Sequence, residues 1–206
     1  MHLVLDIFQG IGIALAVGIR PFLPALAVGA LAAGAVQIDF KGTDFSFLQS
    51  APFLLAVLAA TVLVALLDRR LTNKPTADPR PANGATAARP LALAIVAVGL
   101  AIGAVLFAGA LAQDRYSWWP GLIAGVLCAA VGFAATRPLL ARVGGRLDRE
   151  SASALPLFAE GAAVLVAVVS VVAPPAGIVA LLLFGWLLFA GRRREQKKYA
   201  GLRILR

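Results

Sequence analysis

Six apolar stretches, residues 3–19, 52–67, 91–112, 119–136, 155–172 and 176–191, take up most of this chain and are joined by shorter polar links. At roughly 1.5 Å per helical residue, most reach a hydrocarbon core of about 30 Å only with little tilt. A water-soluble fold would need enough charge to cover that much apolar surface. Charged residues make up only 14% of the 206, against about a quarter in ordinary globular domains. The expected class is all-α, a polytopic transmembrane helix bundle of six spans. Residues 1–16 carry no Lys or Arg and no clear cleavage site, so they read as a retained first helix in place of a secretory signal.

Two Arg-Pro pairs, Arg20-Pro21 and Arg137-Pro138, interrupt this apolar sequence at corresponding places in its two halves. A cation and a helix breaker are both costly in hydrocarbon, so each pair is expected to face protein or water. Two following stretches are ambiguous. Residues 22–38 are apolar but contain Pro24, Gly29 and Gly34, which suits a seventh span or a re-entrant hairpin. Residues 139–150 carry Arg142, Arg146, Asp148, Arg149 and Glu150 and read as an amphipathic helix that does not cross. If neither stretch crosses, each half has three spans, and an odd number makes the halves inverted repeats with Arg-Pro-interrupted re-entrant or short helices. If 22–38 does cross, there are seven spans and the N-terminus lies outside.

Basic residues accumulate on the cytoplasmic side of membrane proteins. With six alternating spans, all of the 19 Lys and Arg except Arg20, Lys41 and Arg115 fall on one side. That arrangement places the protein in the cell (inner or plasma) membrane as a multi-pass chain with a cytoplasmic C-terminus. The first membrane segment is residues 1–70, a flexible cytoplasmic link rich in Pro, Ala, Thr and Asn occupies 71–90, the second membrane segment is 91–191, and a basic tail covers 192–206. The net charge of +9 is explained by this sidedness and by anionic lipid at the tail, with no nucleic acid needed. Tyr116, Trp118 and Trp119 suit the opposite membrane boundary.

The residues expected to line a substrate or ion pathway are Arg20, Pro21, Arg137, Pro138 and Glu160. Pro21 at the start of a helix leaves free N–H groups beside the Arg20 guanidinium, an arrangement that attracts anions. The plainer alternatives are an arginine reaching a headgroup or satisfying carbonyls at a kink. Glu160 is an acid within the fifth span, where a carboxylate carries a proton, binds a cation or pairs with an arginine. Asp6, close to an end of the first span, reads as interfacial. Gly99 and Gly103, with Gly121 and Gly125, put small residues on one face of consecutive spans, for close helix packing within the bundle or between subunits. His2 is the only histidine and Cys128 the only cysteine. A His-based metal cluster, a serine-histidine triad and an internal disulfide are therefore excluded within one chain. No catalytic residue, metal site or cofactor is expected.

The Gly18-Ile-Arg-Pro-Phe-Leu-Pro24 string resembles the signature of a bacterial family of small polytopic membrane proteins, domain of unknown function 4126. Gly18, Arg20, Phe22 and Pro24 match its first part. Asp68-Arg69 stands where the family has Asp-Lys, Gly144-Gly145 where it has a glycine pair, and Glu160 where it has a membrane acid. Pro21 replaces a small residue, the Asn-Pro after the glycine pair is missing, and the spacing from Gly145 to Glu160 is longer. The resemblance implies a membrane class and no substrate.

Two functions follow from these readings. The first is a small channel or secondary transporter for a small, anionic solute, with its pathway between the repeats. The second is a non-transporting accessory or scaffold protein, held as a homo-oligomer or against a membrane partner by its small-residue faces. An enzyme acting on lipid ranks third, for want of a catalytic cluster.

Overall fold

In a computed structural model the chain is all-helical among the described residues, which are 2–72, 84–114, 116–147 and 149–200. Side chains are described for 2–66, 93–114, 116–147 and 154–191. There are seven α-helices: α1 (His2–Ile19), α2 (Phe22–Ala33), α3 (Ala51–Thr72), α4 (Gly84–Ala112), α5 (Trp119–Gly144), α6 (Arg149–Val172) and α7 (Pro175–Ala200), with a 3-10 turn at Ser46–Gln49. Four contain stretches long and apolar enough to cross a membrane: His2–Ile19, Leu93–Ala112, Trp119–Gly144 and Ala154–Val172. The chain is in class a helical membrane protein. Proline sets several helix starts, since its fixed φ and missing N–H are tolerated in the first turn. Pro120 opens α5 in this way, and Pro175 is the first residue of α7.

Contacts between the helices fix their directions. A methyl group at Gly10 would stand 2.8 Å from the Phe107 ring, and one at Gly99 would meet Pro21, so α1 and α4 are antiparallel. Gly121 faces Ala108 and Gly125 faces Ala104, so α4 and α5 are antiparallel as well. Through α4, α1 and α5 then run the same way overall, and the expected inversion of the halves is not confirmed. The cause is α2. After only Arg20 and Pro21 it turns back along α1 until the Gln37 carbonyl accepts a bond from Gln9 Nε2 at 3.4 Å. An extra helix therefore separates the two Arg-Pro segments. The packing is not symmetric either. α1 packs against α2, α4, α5, α6 and α7, whereas α5, its counterpart, has no comparable packing on α2 or α3.

Residues 139–150 do not form the separate amphipathic helix expected. Pro138 lies inside α5, which continues to Gly144 before a turn and the start of α6. The link expected over 71–90 is narrowed by α3, which extends to Thr72, and by α4, which begins at Gly84; residues 73–83 lie outside the described residues. The basic tail is helical as far as Ala200, and 201–206 lie outside the described residues.

The core is wrapped around α1. Its Ile13, Ala16 and Val17 join Val28, Leu48, Leu106, Ala167 and Val171 in one buried cluster, while Ala14 and Leu15 join Phe107, Cys128, Ala135 and Phe184 in another. Helices come this close because small residues meet backbone. Gly18 faces the Ala129 carbonyl, Gly132 the Leu15 carbonyl, and Gly177 the Phe8 carbonyl. Without a hydrophobic drive between helices in lipid, such contacts supply much of the packing energy.

Candidate functional site

One cavity, of about 210 Å³, lies where α1 ends and α2 begins. α1 and α2 contribute Gly18, Arg20 and Pro21; α5 contributes Phe133, Thr136 and Arg137; α6 contributes Glu160. Thr61 and Val64 of α3 face Ile95 and Val96 of α4 on the remaining wall. Four of the five residues expected along a pathway thus share a single cavity. Pro138 does not line it.

Each polar group is positioned by its own helix. The Arg20 amide still bonds the Ala16 carbonyl at 3.3 Å, so this arginine ends the α1 ladder. Pro21 follows with φ −75° and ψ −36° as the residue that leads into α2. Proline cannot donate the next ladder bond, so α1 stops here and the chain turns. Arg137 stands one turn beyond Phe133, its guanidinium carbon 5.3 Å from the ring centroid, a cation–π contact. Thr136 Oγ1 donates to the Gly132 carbonyl at 2.7 Å. Glu160 is half-buried, and among the described residues no hydrogen bond or ion pair engages it. The cavity therefore holds two cations and one acid, with mostly Val, Ile, Leu and Phe around them.

The cavity ends against Val17, Gly18 and Ala129, where α1 and α5 touch. Beyond them the interior from Ile13 to Val17 is essentially fully buried. Gly103 and Gly125 close α4 onto α5 in the same region, Gly121 packs on Ala108, and Gly99 packs beside Pro21. All four glycines face neighbours within the chain.

A second polar cluster, at the other end of α1, was missed by sequence reasoning. Asp6 is 5% and Gln9 2% exposed. Gln113 Nε2 donates to Asp6 Oδ1 at 3.1 Å, and Gln9 Nε2 donates to the Val171 carbonyl at 3.3 Å. Asp6 Oδ2 is buried with no hydrogen-bond partner among the described residues. The available signal was a glutamine inside the apolar α1 and another just past the end of α4, since polar groups at that depth need partners. These bonds tie α1, α4, α6 and the 34–50 loop together and seal the end opposite the cavity.

Compared with family models, curated proteins and solved structures, the chain matches none. Its class accordingly rests on its fold and its cavity.

Proposed function

We propose that the chain is a secondary carrier of the cell membrane that binds a small anion-bearing solute in the Arg20–Arg137–Glu160 cavity. The observation that supports this reading is the convergence of two arginines and a glutamate, from three separate helices, on one space inside an apolar bundle. Intramembrane ionisable groups are costly, and proteins retain them chiefly along substrate and ion pathways. The blind end at Val17 and Gly18 favours a carrier open to one side over a channel. With all seven helices crossing, every basic position except Lys41 and Arg115 would lie at the cavity end, and the positive-inside rule would then make that end cytoplasmic. The resemblance to domain of unknown function 4126 belongs to the same reading and rests on the Gly18–Pro24 string.

Proteoliposomes should take up or release a small anion, with flux falling at least tenfold in Arg137→Ala and Glu160→Gln changing its pH dependence. A broad screen of inorganic and organic anions that finds no flux and no binding would remove the proposal.

A second reading, an accessory or oligomeric scaffold, draws support from α3. Among the described residues it packs chiefly on α2 and the 3-10 turn at Ser46–Gln49, and it exposes Leu55, Leu58, Leu63 and Leu66. The glycine faces are engaged within the bundle, so a second copy or a partner would pack on this side. Cross-linking from α3 that captures a defined neighbour, together with an absence of flux, would favour this reading over the carrier.

A further inference from the structure

Beside the polar cavity runs an apolar crevice of about 230 Å³ between α5, α6 and α7, with Ile19 at its floor. Ile19, Thr136 and Leu140 line both spaces, so the two adjoin at these side chains. The crevice exists because α5 and α6, although consecutive, hardly pack on each other. α5 is drawn to α1, α4 and α7, and α6 to α1 and α2. Ala159 and Ala162 on α6 add too little bulk to close the gap to Leu139 of α5 and Phe184 of α7.

A site shaped for a free, hydrated anion should be walled off from oil, because the ion gains nothing from an apolar opening and loses hydration beside one. This cavity instead has an apolar crevice against one side. Its charges are matched by a headgroup bearing a phosphate for the arginines and a hydroxyl or ammonium donor for Glu160, and its crevice by hydrocarbon. We infer that the occupant is a phospholipid of the surrounding leaflet, its phosphodiester headgroup at Arg20 and Arg137 and one acyl chain between α5 and α6. This deepens the carrier proposal and rests on it: the anion-bearing solute becomes an amphiphile, entering sideways from the bilayer.

The test is binding to the purified full chain in a neutral detergent, using three probes: dioctanoyl phosphatidylglycerol, sn-glycerol 3-phosphate, and dioctanoylglycerol. The phospholipid is expected to bind at least tenfold more tightly than either the soluble phosphate or the uncharged chains. Arg137→Ala should weaken it at least tenfold and Ala162→Phe, which fills the crevice from an exposed position, at least fivefold. Melting temperatures of the variants identify any that fail to fold, in which case the wild-type comparison of the three probes decides. Glycerol phosphate binding as tightly as the phospholipid overturns this inference and leaves the anion carrier standing. Phospholipid binding that a folded Ala162→Phe does not weaken also overturns it. If no phosphate-bearing probe binds, this inference falls, and the carrier is left to the screen of inorganic and organic anions.

Discussion

Gly18 and Gly161 are one residue type under opposite constraints. A side chain on Gly18 would run into the Ala129 carbonyl of α5, whereas nothing stands within 4 Å of one on Gly161. Gly18→Ala is therefore expected to push α1 from α5 and cost about 1–3 kcal/mol, as overpacking does. Gly161→Ala should stabilise by about 0.5–1 kcal/mol through helix propensity alone. Thermal or denaturant unfolding in detergent distinguishes them, and equal effects would contradict the close approach of α1 and α5. Gln113 is the other informative position. It is the hydrogen-bond donor to buried Asp6, so Gln113→Leu should lower stability by about 1–3 kcal/mol, the cost of a buried polar group left unpaired. Neither effect was visible in the linear chain, where Gly18 was one glycine of 20 and Asp6 read as interfacial.

Among the helices, α5 departs from expectation at its Arg-Pro pair and α2 does not. Pro138 has the sequence context of a break, yet α5 continues through it to Gly144. An interior proline forfeits one ladder bond and clashes with the preceding turn, but helices in a bundle tolerate this when neighbours satisfy the freed carbonyl. Pro21 does coincide with the end of a helix, because α1 stops at Ile19 and α2 starts at Phe22. The two pairs are thus alike in composition and unlike in structure. Pro138→Ala is expected to change ligand binding less than twofold, since Pro138 does not line the cavity, while Arg137→Ala weakens it at least tenfold. A comparable loss in both variants would mean that the proline shapes the site from outside it.

For the whole molecule the decisive quantity is the number of passes. If all seven helices cross, residue 2 and residue 200 lie on opposite sides, whereas six spans would put both termini on one side. In a Cys128→Ala background, an impermeant maleimide applied to intact cells should label His2→Cys and spare Ala200→Cys. Labelling of neither position from outside would restore the six-span count and make α2 re-entrant. The same parity decides the relation of the halves, because with α2 returning along α1 the two Arg-Pro segments share an end and a cavity.

Helix positions and membrane class were legible from residue order because they depend on local quantities: the length of an apolar run, the placing of proline, and the side on which arginine collects. Arg20, Arg137 and Glu160 could be singled out for the same reason, as charges in stretches that otherwise exclude them. Their meeting in one cavity, the parallel course of α1 and α5, and the gap between α5 and α6 could not be read that way. Those features depend on which small residues face which backbone, and only packing in three dimensions brings Gly18 to Ala129, or keeps Ala162 from Leu139.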